Sequence, residues 1–223
     1  RGHFDHGWLD TFHSFSFGGY LDPEHMAFRS LRVLNEDRVQ PGQGFGTHGH
    51  QDMEIFTWVL SGALEHRDSL GKHGVLRPGE AQVMSAGTGI RHSEFNASDD
   101  ALVHFLQIWF LPERKGLAPR HDQVAFADAD LRNRLHLVAG PEGSGAAVTL
   151  FQDARVQVAR LDAGQALEAA LPAGRHGYLH VATGAIALNG VALGAGDAVR
   201  IQDELNLSLR AEVPSEVLLF DLA

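Results

Sequence analysis

The chain reads as an all-β protein made of two related units, and three observations predict this. Glycine is frequent, 25 of 223 residues, and it falls at the ends of short apolar runs instead of in one low-complexity tract. Those runs are rich in β-branched and aromatic residues, the texture of a barrel or a sandwich. A pattern of apolar strand, glycine, strand and Gly-acid turn also occurs twice. Leu60-Ser61-Gly62-Ala63 precedes Arg77-Pro78-Gly79-Glu80, and Thr183-Gly184-Ala185 precedes Gly194-Ala195-Gly196-Asp197, which suggests a duplicated barrel.

The elements follow in order. Ile55–Leu60 is continuously apolar apart from one threonine and ends at Ser61-Gly62, so it predicts a strand buried on both faces. Residues 101–111 look similar and stop at Pro112. Asp128–Leu135 starts acidic and ends basic, which suits the dipole of a short helix. Residues 140–145, Gly-Pro-Glu-Gly-Ser-Gly, read as linker. Val156–Leu161 alternates polar and apolar, as a half-buried strand does. Ala185–Leu188 and Val191–Leu193 flank Asn189-Gly190, the residue pair of a type I′ hairpin turn. Ser215–Leu222 supplies a last strand. The expected organisation is a first unit over 1–120, a linker with a short helix over 121–145, and a second unit over 146–223.

Composition narrows the function. The formal net charge is −10, so no domain-wide basic surface exists to hold phosphate backbones or anionic lipid. Direct nucleic-acid binding and membrane association are therefore not expected. No apolar run approaches the roughly 18 residues of a membrane helix, no leader-like stretch is visible, and a cytoplasmic location is expected. With no cysteine, any metal must be held by histidine and carboxylate.

Residues 47–56, THGHQDMEIF, place His48 and His50 two apart. On a strand such residues share a face, with backbones about 7 Å apart, and their imidazoles can converge on one ion. Alone, the pair reads more readily as a polar loop before a strand. His92 and Glu94, again two apart in SAGTGIRHSEF, change that balance. Two such pairs supply three imidazoles and a carboxylate, a set suited to Fe(II), Mn, Ni, Cu or Zn. On an octahedral ion they leave two positions open. Glu54 is the rival carboxylate. On a straight strand it would lie about 13 Å beyond His50 and would need a bend at Gln51-Asp52 to reach the ion. Glu94 needs only the two-residue step.

These motifs resemble a family. Gly42, His48, His50, Glu54 and Gly62 look like the first cupin motif, and PGEAQVMSAGTGIRHSE at 78–94 looks like the second. HGHQDME and AGTGIRHSE, with RGHFDHGWLDTFHSFSFGGY, LQIWFLP and SEVLLFDL, resemble the pirin family of two-barrel cupins, and within it the bacterial quercetin 2,3-dioxygenase-like members. Seven residues separate Glu54 from Gly62 instead of six, and Gly87 stands where general cupins carry proline. Both departures are pirin-like.

The resemblance implies a bicupin with a metal held by His48, His50, His92 and Glu94. It implies Fe(II) as the ion, with Cu, Ni, Mn or Zn as alternatives. It also implies dioxygenase chemistry on a small phenolic substrate with dioxygen, Glu94 acting as base and Glu54 as runner-up. Phe45, His66 and Gln107 are candidate substrate contacts. Two other activities fit the same ligands: a redox-responsive regulator acting through a protein partner, and an isomerase. If Gly62 and Gly184 are equivalent, His48 and His50 fall opposite Ala170 and Pro172, and His176 falls opposite Glu54, so the second unit is expected to hold no metal.

Overall fold

A computed structural model describes residues 1–223 as two units built almost wholly of β-strand. The first unit comprises Arg1–Ala125 and a returning segment, Leu150–Gln152. Its strands are β1 (Gly2–Asp5), β2 (Leu9–His13), β3 (Leu31–Val39), β4 (Gly44–His50), β5 (Glu54–Ser61), β6 (Leu64–Asp68), β7 (His73–Leu76), β8 (Glu80–Ser85), β9 (Ile90–Asn96), β10 (Val103–Phe110) and β11 (Arg120–Ala125). They form a seven-stranded sheet, β1-β2-β3-β10-β5-β8-β11, and a four-stranded sheet, β4-β9-β6-β7.

The interior of this unit is apolar at two levels and polar between them. Val39, Val59, Leu64, Leu76, Val103 and Phe105 join the two sheets at one level. Ile55, Met84, Ala86 and Ile90 join them at another. Each such buried aliphatic side chain stabilises the fold by roughly 1.5–3 kcal/mol. Ile55, Thr57 and Val59 alternate onto one face of β5, so Thr57 sits between the two apolar levels. Strand register extends that position sideways into a polar row, His13–Asn35–Gln107–Thr57–Gln82–Gln123, across six strands.

The second unit comprises Phe126–Thr149 and Asp153–Ala223. It holds α1 (Asp128–Leu131), then β12 (His136–Gly140), β13 (Val148–Thr149), β14 (Ala154–Leu161), β15 (Ala166–Ala170), β16 (His176–Thr183), β17 (Ala185–Leu188), β18 (Val191–Gly194), β19 (Ala198–Ile201), β20 (Asn206–Ala211) and β21 (Ser215–Leu222). The order β14-β21-β16-β19 repeats β3-β10-β5-β8, and β15-β20-β17-β18 repeats β4-β9-β6-β7.

The duplication predicted from the glycines is present in detail. Gly62 and Gly184 both have positive φ, +80° and +82°, and a Cβ at either would press on a carbonyl oxygen at the start of the last strand, Leu102 O at 2.6 Å or Pro214 O at 2.4 Å. The Gly-acid turns also match. The Arg77 N–H donates to Glu80 Oε2 at 2.9 Å and the Gly194 N–H to Asp197 Oδ2 at 2.8 Å. Glu54 and His176 open equivalent strands, as the residue count predicts. The hairpin forms as expected, with positive φ at both Asn189 and Gly190.

The segment expected as a linker differs. Arg120–Ala125 is the edge strand β11 of the first unit, paired along β8, and β12 belongs to the sheet of the second. The polar sequence of Arg120–Ala125 hides an edge strand, which needs little apolar surface. The helix is also shorter than predicted. Arg132 is extended and Asn133 has φ +57°, and the Arg132 guanidinium bonds Asp162 instead of capping a last turn. No helix is long and apolar enough to cross a membrane.

Candidate metal centre

The four-stranded sheet of the first unit carries the predicted residues on one inward face. β9 lies between β4 and β6. His92 and Glu94 alternate inward while Arg91 and Phe95 point out. His48 is the cross-strand partner of His92 on one side and Asp68 on the other. Glu94 is flanked by Phe45 and His66 in the same way. A register shift between Phe45 and His48 twists β4 just before the His-x-His pair, the usual effect of a bulge.

His48, His50 and His92 converge through their Nε2 atoms. His92 Nε2 stands 3.0 Å from His48 Nε2 and 3.0 Å from His50 Nε2. Two nitrogens bound cis on an octahedral ion, each about 2.1 Å from it, lie about 3.0 Å apart. His48 Nδ1 donates to Gly46 O at 2.8 Å, which leaves the Nε2 lone pair aimed inward. Burial pushes His50 down to about 4 and His92 to about 2, with neighbouring imidazoles adding to both shifts. Both rings are therefore neutral, the form that ligates metal. Three converging imidazoles without enough protons to bridge them fit a cation. The edge of the His50 ring meets Trp109, with centroids 4.9 Å apart.

Glu94 is buried beside this group. Its ligand atom lies within 4.8 Å of those of His92 and His66. Gln107 Nε2 donates to both carboxylate oxygens, at 3.0 and 2.9 Å, while Gln107 Oε1 accepts from the Thr57 hydroxyl at 2.7 Å. Burial raises the Glu94 carboxyl, and the Gln107 bonds and the positive potential of His66 and His48 oppose the rise. The polar row therefore grips the carboxylate from the opposite sheet.

A cavity of about 260 Å³ opens onto His48, His50 and Glu94 and is walled by Phe45, Gln107 and Trp109. Two of the expected substrate contacts, Phe45 and Gln107, line it. His66 does not. It is buried behind Glu94, where its Nε2–H donates to Asp68 Oδ2 at 3.0 Å and its ring stacks on His121. Glu54 also lies away from the three imidazoles. Its Oε2 accepts from the Ser85 hydroxyl at 2.8 Å and from the Phe151 N–H at 3.1 Å. Asp52, at the turn between the His-x-His pair and Glu54, accepts from the Gly116 N–H at 2.8 Å and has φ +48°. Sequence reasoning missed Phe17, Asn35, Asp37 and Trp109 in the cavity wall. The one available signal was Asn35 and Asp37 alternating inside the LRVLNEDRV strand.

Two barrels of matching strand order, one with converging imidazoles, define a two-barrel cupin with a candidate metal centre. The sequence profile of the Pirin family matches residues 1–110, and that of the quercetinase C-terminal cupin domain matches residues 137–222. The chain is 44% identical to quercetin 2,3-dioxygenase of Escherichia coli (strain K12) over 222 residues, covering 100% of this chain and 95% of that one. It is 41% identical to a pirin-like protein of Caulobacter vibrioides, covering 98% and 94%. Among solved structures, YhhW from Escherichia coli superimposes with a TM-score of 0.95 at 43% identity, covering 100% of this chain and 94% of that one. The bacterial pirin YhhW in complex with nickel(II) superimposes with a TM-score of 0.93 at 44% identity, covering 100% and 95%. The chain belongs to the pirin family, among its bacterial quercetin 2,3-dioxygenase-like members.

Proposed function

We propose that this protein is a metal-dependent dioxygenase that opens the heterocycle of a flavonol or a similar enol, at a centre made by His48, His50, His92 and Glu94. The observation that carries the reading is the convergence of three imidazole Nε2 atoms, His92 at octahedral-edge spacing from the other two, beside a buried carboxylate at the mouth of an aromatic-walled cavity. The relatives named quercetin 2,3-dioxygenase and the nickel(II) complex of a pirin support it.

The ion we propose is a single divalent one, Fe(II) first, with Ni, Cu, Mn and Zn as alternatives for the same mixed nitrogen and oxygen donors. When bound it supplies Lewis acidity towards an enolic oxygen and a redox partner for dioxygen. The chain's own residues do the rest. Phe45 and Trp109 wall the cavity and orient a flat ring system in it. Glu94, buried at the cavity beside the three imidazoles, is the group placed to take the enol proton. Gln107 holds both oxygens, so the carboxylate is fixed before substrate arrives. Glu54, bonded to Ser85 and Phe151, serves the fold.

An oxygen electrode tests the reading. Quercetin added to protein loaded in turn with each of these metals should draw dioxygen, and the heterocycle's absorbance should fall with it. If no metal form consumes dioxygen, the activity is not this one. An isomerase or a regulator acting through a protein partner would then take its place.

A further inference from the structure

The cavity at the metal centre continues past it. A second cavity, of about 300 Å³, shares Phe17, Asn35, Asp37 and Phe45 with the first, so the two are lobes of one cleft. Phe17 meets Trp109 edge-on at 5.3 Å on the metal side and His13 edge-on at 5.2 Å on the far side. Phe45 stands edge-on to Trp8 at 5.3 Å. The passage is therefore bounded by aromatic rings held by packing, which suits a flat, ring-bearing molecule.

Its other two walls are polar. Asn35 and Asp37 are two apart on β3, so they share a face, and each is 4% exposed. Asn35 is the cross-strand neighbour of Gln107, the residue that holds Glu94. Unlike Gln107, it is unsatisfied: its Oδ1 is buried with no hydrogen-bond partner. Asp37 Oδ1 accepts from the Thr11 hydroxyl. Buried polar groups are almost always paired, and one left open in a cavity wall marks where a ligand or water is to supply the partner. A buried amide and a buried carboxyl side by side can give and take hydrogen bonds together. A hydroxyl group, which does both, is the complementary ligand group. Burial pushes the Asp37 carboxyl up to about 7 against the Thr11 bond, so near neutral pH it too can donate.

We propose that Asn35 and Asp37 form a hydroxyl-recognition subsite where the two lobes meet. Its ligand would be a flat polyphenol that chelates the metal through one ring system and carries a hydroxyl on a further ring. This rests on the flavonol reading and narrows it, since a flavonol bare of other hydroxyls would chelate equally well but leave Asn35 unpaired.

Two flavonols separate the cases. 3-Hydroxyflavone has the chelating pair and no other hydroxyl, whereas quercetin has the pair and several. Both are titrated into nickel(II)-loaded protein without dioxygen, following the quenching of tryptophan fluorescence. Wild type should bind quercetin about tenfold tighter or better, the scale of losing a partner for a buried polar group. Asn35→Leu, close in size and unable to hydrogen-bond, should bring the ratio to within about threefold while keeping its affinity for 3-hydroxyflavone. Equal binding of the two by wild type, or a preference that survives in Asn35→Leu, would overturn the subsite. If Asn35→Leu does not fold, Asn35→Ala takes its place and is read in the same way. If neither flavonol binds, the flavonol reading falls and takes the subsite with it. If both bind without preference, only the subsite falls.

Discussion

Two glutamates, Glu54 and Glu94, stood as rivals for one role, and their partners separate them. Glu94 meets Gln107 across the cavity, while Glu54 meets a serine hydroxyl and the amide of Phe151, nearly a hundred residues away in sequence. Glu54→Gln should therefore keep the metal and lose about 1–2 kcal/mol of stability, seen as a lower melting temperature. Glu94→Gln should instead weaken metal retention with little change in melting of the ion-free protein. Asp37 makes a pH-dependent prediction. Its folded-state pKa is raised to about 7, so the native state binds the proton more tightly than the unfolded chain does. Its contribution to stability is full below the unfolded value, near 4, and is lost as pH rises through about 7. Asp37→Asn, which cannot ionise, should gain stability relative to wild type across that window, by as much as a few kcal/mol at pH 8, measured by denaturant titration at pH 5 and pH 8. The four residues proposed to hold the metal were legible as a group because strand geometry turns a two-residue spacing into a shared face. The roles of Asn35, Asp37 and Phe151 were not, because each depends on register or on chain return, which no local pattern encodes.

At the scale of elements, the readable features were those with local causes. The Asn189-Gly190 turn needs two positive-φ residues, and the strands either side of Gly62 and Gly184 must break where the chain approaches a neighbouring strand. Gly62→Ala would place a methyl group against Leu102 O at φ +80° and should cost about 1–3 kcal/mol or more. Gly190→Ala, also at positive φ but facing open space, should cost about 1 kcal/mol. Thermal melts of the two variants test this order, and equal losses would show that φ alone, without the overlap, sets the penalty. The edge strand β11 was illegible for the opposite reason. Arg120–Ala125 is polar and half-exposed, held by pairing with β8 more than by any apolar stripe of its own.

Across the whole chain, the strand order is duplicated but the candidate site is not. Where β4 and β9 turn His48, His92 and Glu94 inward, the matching strands β15 and β20 turn Leu167, Leu207 and Leu209 to their core. Every group of histidine and carboxylate close enough to share an ion falls in the first unit. The second barrel has the same strand order and Gly-acid turn, with an apolar face where the first carries imidazoles and a carboxylate. The account therefore predicts one ion per chain. Its most direct test is the metal content of protein loaded with Fe(II) without dioxygen and then desalted, wild type beside His48→Ala and His92→Ala. The prediction is one ion per chain in wild type and none in either variant. An ion retained at full occupancy by both variants, or two ions in wild type, would contradict it.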